Sequence, residues 1–483
     1  MAISSDGFQL EMNFDSSINR FRHCLDNGVF VMLIELNTPA RDTDLSAAGA
    51  RLQEIEYAIS NINEMPIGLA FTDKYANVAS WKVADYATCL SKDRRDRHVI
   101  YISGRDTTSE SQVDTLNMCA ANGFFNVVPV SGDSFPGENA KDTRKRTFTE
   151  SIHLLHHIKN MKDSPFFPGC AVNPFKYTPD DSFTQYFKLV KKLNLGAEFM
   201  VTNFGWDMMK HHELRWYLSS RNLHYPSIAR LSVLTPEKVE KIIAGDLPGV
   251  HISPDFKIIL ENELKYSYKQ FESAQWRRLQ LQAVGCKLLG YSGIQIAGLD
   301  NPDKIKIAAR RITEGMAEFQ SFNDWTNEYF EHLGRAEMAP YPYRFYTFGR
   351  GFSKPYAEGI PKMATIKEPE SSSGEKFSYK LRKFMFPHAD KQNPHEHLLT
   401  KKLLVGCREC SYCRLPLTQY VCPEHCPKGL ANGPCGGTRA SGECELGGIE
   451  CIHSQIMRLA VWKNQTDTLE ETYIGPAIRR KLR

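Results

Sequence analysis

Eight of the chain's thirteen cysteines fall in one short run, at Cys407, Cys410, Cys413, Cys422, Cys426, Cys435, Cys444 and Cys451. Thiolates at that density bind soft metals. The run therefore predicts two four-ligand centres, as 4Fe-4S clusters or tetrahedral zinc, or one centre with cysteines to spare. The spacing of Cys407, Cys410 and Cys413 suits three thiolates on one face of a cubane cluster, yet paired short-spaced cysteines also build zinc sites. The gap from Cys413 to Cys422 fits neither standard layout, so zinc and iron-sulfur both stay open. The segment Gly429 to Gly437 would wrap backbone amides about sulfur, which tunes such centres.

Three further residues have chemistry to offer. Glu35 ends an apolar run and is followed by Leu-Asn-Thr-Pro39, so its carboxyl stands where a buried strand opens into a loop. Burial there raises a carboxyl pKa and makes a general acid; a cap on the next helix is the other reading. Asp133, in Val130-Ser-Gly-Asp133, repeats the arrangement after a later strand, where Gly132 lets backbone approach a ligand; an ordinary turn aspartate is the alternative. Asn203 supplies a neutral amide suited to reading a heterocycle's donors and acceptors. His98, at the start of a strand, reads as structural, and His153, His156 and His157 read as surface residues on a helix.

These groups need a frame. Apolar runs at Phe30 to Leu36, Ile67 to Thr72, His98 to Ile102, Asn126 to Val130, Gly169 to Val172, Phe199 to Asn203, His224 to Ile228 and Gly293 to Ala297 predict eight strands. Most are separated by the length of a crossover helix, and each is continuously apolar, as strands buried on both faces are. Eight such units predict a (β/α)8 TIM barrel, with a doubly wound sheet as the alternative. The seventh interval is long and carries a helical stretch from Phe256 to Val284. The chain thus divides into a barrel at 1–335, an extended arm at 336–376 rich in Pro, Gly and aromatic residues, and a smaller cysteine-rich metal-binding domain at 377–483.

With 60 basic and 56 acidic side chains the net charge is too weak and dispersed to draw nucleic acid or a membrane. The aromatic and basic segment Tyr341 to Phe352 reads as an arm packed on the barrel, and the tail Ile478 to Arg483 as a solvated end. Met1 to Ser17 lacks a signal-peptide layout, and the longest early apolar stretch is too short to span a bilayer. A reducing cytoplasmic setting is expected, in which clustered cysteines are ligands more often than disulfides.

The barrel portion resembles methylenetetrahydrofolate reductase, through Glu35, Thr72, His98, Asp133, Lys192 before Gly196-Ala197, and Thr202-Asn203 in order. The end resembles that family's C-terminal cysteine-rich module, most sharply in Cys422-Pro-Glu-His-Cys-Pro-Lys-Gly-Leu-Ala-Asn-Gly-Pro-Cys-Gly-Gly437 and Gly442-Glu-Cys-Glu445. The resemblance implies a flavin, FAD with FMN as the alternative, lying across the strand ends with folate stacked on it. Glu35 then matches the acid that protonates folate N10, and Asp133 the carboxylate that stabilises the developing cation. Thr72, His98, Asn173 and Lys192 match positions at the flavin.

The chain also departs from the family. Asn203 stands where the family has Gln, Val172-Asn-Pro-Phe-Lys176 lacks a family histidine, and Gln185 replaces an aspartate. Electrons would enter from a ferredoxin-like carrier through the thiolate module, or from NAD(P)H, with a homo-oligomer as a further expectation. A pterin-binding barrel for methyl transfer to a corrinoid, and a non-enzymatic scaffold for a redox complex, are the competing readings.

Overall fold

A computed structural model describes residues 19–73, 79–348, 369–391, 396–410 and 412–476. Met1 to Ser17, positions 349–368 of the expected arm and the tail from Ile478 lie outside the described residues.

Eight parallel strands close into a barrel in sequence order: β1 (Val31–Asn37), β2 (Ile67–Thr72), β3 (Val99–Ser103), β4 (Asn126–Val130), β5 (Phe167–Val172), β6 (Phe199–Thr202), β7 (Ser227–Ser232) and β8 (Gly293–Ala297). Parallel pairing needs crossover helices, which cover the outer face and bury both sides of every strand. Along β1, Met32, Ile34 and Leu36 join the large outer core, while Val31 and Leu33 point into the barrel with Val99, Val128, Phe199 and Ile228. The helix α1 (Arg20–Asp26), capped by the Asn19 side chain, closes the amino end of the barrel. Its Phe21 meets Phe199 and Phe167 edge-on, with ring centroids 5.4 and 6.2 Å apart. With the amino end plugged, ligands have the carboxyl end.

β7 lies three residues beyond the expected start at His224, and its ladder to β8 runs from Ile228 to Ser232. The apolar criterion stopped at Ile228 because Arg230 follows, but that side chain points inward and is paired there. The long interval before β8 holds helices Pro236–Ala244, Pro254–Tyr266 and Tyr268–Leu288, and Ser267 splits the single expected stretch by capping the third.

The C-terminal region packs against α2 (Pro179–Asn194) and contains α3 (Ser373–Met385), α4 (Leu398–Val405) and α5 (Ile452–Lys463). α3 begins inside the stretch expected to be extended. Ser372 and Glu375 form a reciprocal capping box, a start signal that outweighs the polar run before it. Arg458 of α5 ties the region together, bonding Asp180 of α2 at 2.5 Å, Glu375 at 2.6 Å and Glu450 at 2.5 Å.

Candidate active site and thiolate module

At the carboxyl half of the barrel the inward residues turn from apolar to polar. Glu35 lies opposite Ala70 and Ala297 in the ladders, and these small neighbours leave room for its carboxyl. Arg230 reaches it from β7 with two donors, Nε to Oε2 and Nη2 to Oε1, both at 2.6 Å. Gln295 of β8 donates to Oε2 at 2.7 Å and accepts from the Tyr101 hydroxyl at 2.8 Å. Arg230 Nη1 donates in turn to the Asn203 amide oxygen at 3.1 Å. The guanidinium lies over the Phe204 ring at 4.8 Å, with the Lys238 ammonium near the same ring at 5.1 Å.

Burial pushes the Glu35 carboxyl up, as expected from its position. Arg230, through its charge and its hydrogen bonds, and Gln295 outweigh that burial and hold Glu35 below the usual carboxylate range. The resting Glu35 is therefore an anion, the reverse of the pKa direction expected from burial alone. Burial also lowers the Lys238 ammonium, to about 8, with Arg230 adding to the effect.

Asp133 faces this group from the loop after β4. Its side chain is exposed to the mouth, yet protein encloses the mouth, and that enclosure raises its pKa while Lys428 opposes the rise. Lys428 and Glu445 come from the C-terminal region. They pair at 2.5 Å, Lys428 donates to the Gly132 carbonyl at 2.9 Å, and Glu445 accepts from Ser134 at 2.9 Å. The second domain thus builds part of the barrel's rim.

Of the expected cofactor contacts, Thr72 stands at the mouth, donating to Asn37 at 2.7 Å. His98 does not reach it. It precedes β3 at the amino end, where its Nδ1 accepts the Leu69 amide and its Nε2 lies 3.9 Å from Glu56. Asn173 donates to the carbonyls of Gly249 and Gly436 at 2.9 and 2.7 Å, and Lys192 to that of Ala171 at 2.5 Å. Asn173 thus places its amide donors, and Lys192 one of its three, on the chain's own backbone. A cavity of 520 Å³ lies beyond β3, lined by Asp106, Thr107, Glu138, Lys145 and Arg146 among others. A second, of 190 Å³, is at the amino end beside His98.

All thirteen cysteines are unpaired. Among the described residues no three His, Cys, Asp or Glu side chains converge as a metal site. The eight clustered thiols nevertheless sort into two neighbourhoods. Burial pushes Cys422 up to about 12, with Cys410 and Cys407 adding to it; Cys413 is raised by burial and by Cys407, and Cys410 by burial and by Cys413. Burial pushes Cys435 up to about 12, with Glu445, Cys444 and Cys426 adding to it, and raises Cys451 with help from Asp181, Cys435 and Cys426.

Buried lysines stand around the second neighbourhood. Lys188 donates to the carbonyls of Gly433 and Pro434 at 2.9 and 2.8 Å, and Lys176 to those of Gly436 and Thr438 at 2.8 and 3.0 Å. Both carbonyl pairs flank Cys435. Donor type, number, grouping and the buried positive charge suit a cation held by thiolates, although the sulfurs themselves are not drawn together.

Arg230, Gln295, Tyr101, Lys238 and Phe204 were not foreseen. For Arg230, Gln295 and Tyr101 the signal was a polar side chain at an inward position of an apolar strand, as in Ile294-Gln-Ile296 and Ala229-Arg-Leu231; Lys238 and Phe204 lie outside the strands and gave none.

Residues 53–236 match the family described as methylenetetrahydrofolate reductase, and residues 386–477 match one described as methylene-tetrahydrofolate reductase C terminal. The first span holds Asp133, Asn203 and Arg230, with Glu35 ahead of it; the second holds all eight clustered cysteines, Lys428 and Glu445. Among curated proteins, none matches the chain. Solved structures are similar in shape. An uncharacterized Clostridium thermocellum protein that binds two copies of 5-methyl-5,6,7,8-tetrahydrofolic acid has 14% identity and a TM-score of 0.44, over 62% of this chain and 100% of that one. A putative dihydrodipicolinate synthetase from Pseudomonas aeruginosa has 10% identity and a TM-score of 0.35, over 64% and 82%. A 7,8-dihydropteroate synthase from Vibrio fischeri ES114 has 13% identity and a TM-score of 0.35, over 61% and 94%. The chain carries a methylenetetrahydrofolate reductase domain in its barrel and the corresponding C-terminal domain over its cysteines.

Proposed function

We propose that the protein is a folate oxidoreductase that interconverts 5,10-methylenetetrahydrofolate and 5-methyltetrahydrofolate. The observation that carries this reading is the grouping of Glu35, Arg230, Asn203 and Asp133 at the open end of a barrel whose sequence matches that reductase family. A flavin, when bound, would supply the hydride acceptor or donor.

The chain's own residues handle the proton. In the reducing direction the bond from the bridging carbon to folate N10 breaks, its electron pair stays on N10, and N10 takes a proton. Glu35 would exchange that proton, and it starts as the conjugate base because Arg230 holds it so. Arg230 must therefore loosen its grip before Glu35 can serve as the acid. In the oxidising direction the resting anion is ready to receive the N10 proton directly. Asp133, near enough to Arg230 to feel its charge, would when ionised add negative charge where the substrate becomes a cation. Asn203 offers its amide NH2 to the pterin edge, its oxygen being held by Arg230 and the Phe204 amide.

The two groups of four cysteines, Cys407, Cys410, Cys413 and Cys422, and Cys426, Cys435, Cys444 and Cys451, would hold zinc or 4Fe-4S centres. A redox-active centre would let a ferredoxin-like carrier replace NAD(P)H as electron donor; zinc would make the module structural.

Isothermal titration of 5-methyltetrahydrofolate into purified protein, with its ultraviolet-visible spectrum and iron and zinc content, tests the reading. Saturable folate binding by a yellow protein is expected. A colourless protein that binds no folate would contradict it.

A further inference from the structure

Helix α3 wears its apolar face outward. Phe377, Leu381 and Phe384 follow the spacing i, i+4, i+7 and share one face, with Met385 beside them. Phe377 is 68% exposed and Phe384 81%, whereas the residue this helix buries is Tyr379 on the opposite side. The next helix, α4, repeats the pattern with Leu399 at 83% and Leu403 at 84%. The two helices adjoin, since Arg382 of α3 donates to the Leu404 carbonyl at 3.1 Å. Exposed apolar residues scattered singly need no explanation, but an apolar stripe on α3 with a second exposed pair on the adjoining α4 does.

Positive charge borders the face. Lys376 and Lys380 lie 5.8 and 5.9 Å from the Trp462 ring, and Lys383 and Lys463 lie 5.9 and 6.0 Å from that of Tyr379. The one carboxylate of α3, Glu375, is already held by Arg458 at 2.6 Å. Four ammonium groups around two rings thus concentrate a charge that the whole-chain balance of 60 to 56 conceals.

We propose that this face binds the surface of an anionic bilayer. A short helix with phenylalanine and leucine on one side and lysine along one flank is the pattern of a segment that lies in a membrane interface. Lysine stems can cover acyl chains while their ammonium groups reach lipid phosphates. Three alternatives fit less well. A second copy meeting this face about a two-fold axis would set lysines against lysines. Protein interfaces are depleted in lysine, and knobs that stand more than two-thirds clear of the surface would need a matching socket that a fluid bilayer does not. Insertion across the bilayer is not implied, since no helix among the described residues is long and apolar enough to cross one.

Flotation of the full-length protein with vesicles tests the proposal, whatever the barrel catalyses. Vesicles of phosphatidylcholine with about 30% phosphatidylglycerol should carry the protein, pure phosphatidylcholine should carry far less, and added salt should release it. Phe377→Ser with Phe384→Ser should cut binding at least about ten-fold. Lys376→Gln, Lys380→Gln and Lys383→Gln together should abolish the preference for anionic vesicles. Both variants change exposed residues, and an unchanged Tm would show that they fold. Wild-type protein that stays free of anionic vesicles would overturn the proposal, as would variants that bind undiminished. So would a face that instead binds an acidic protein, with a bacterial ferredoxin as the probe, while vesicles bind nothing.

Discussion

The barrel mouth and the cysteine module handle their polar groups in opposite ways. In the mouth the polar groups pair with one another: Glu35 has Arg230 and Gln295, Gln295 has Tyr101, and Arg230 also has Asn203. In the module eight thiols lie in two neighbourhoods without converging, and the lysines around one of them bond backbone carbonyls. On the proposed function, Arg230 must loosen the first arrangement before Glu35 can act as an acid. On the same proposal the second would hold zinc or 4Fe-4S centres.

Substitutions can break that contrast. The largest effect is expected for Arg230→Leu, which strands Glu35 in a buried site and should cost about 3–5 kcal/mol, measured by urea unfolding. The sign with pH follows from the lowered pKa of Glu35. Its contribution is present above the unfolded value of about 4.3 and is lost as pH falls through the folded value, so the variant should lack this acid-sensitive component. Glu35→Gln should come next, lowering folate turnover by about two orders of magnitude while folate still binds.

Gly249→Ala probes the seam between the regions. Gly249 has φ +70°, and an added Cβ would run into the Gly436 carbonyl and the Asn173 amide. Loosened docking of the Cys435 segment, by about 1–3 kcal/mol, should appear as faster alkylation of Cys435. The smallest change is expected for Ser372→Ala, which removes the capping box of α3 and should speed amide exchange in its first turn by an amount equivalent to about 1 kcal/mol.

The eight strands were legible because strands buried on both faces read as unbroken apolar runs. β7 was misplaced for the converse reason: its inward Arg230 breaks the run, although the buried carboxylate opposite compensates the charge. Glu35, Asp133 and Asn203 were singled out because each stands near the end of an apolar run, and in the structure Glu35 lies two residues inside β1 while Asp133 and Asn203 follow β4 and β6. Which of them would meet, and through which cation, depended on a register that one strand's residues do not encode. Lys428 was further out of reach, since it meets the Gly132 carbonyl across 296 positions of chain. His98 shows the limit of position by order alone. It falls in the expected sequence but before its strand, which puts it at the plugged end of the barrel.

The most direct test of the account is the oxidation of 5-methyltetrahydrofolate by the purified full-length protein with an artificial electron acceptor, compared between wild type and Glu35→Gln. Turnover in the wild type that falls by about two orders of magnitude in the variant is the expected result. Equal rates in the two proteins, or no turnover in a wild type that binds both folate and flavin, would contradict it.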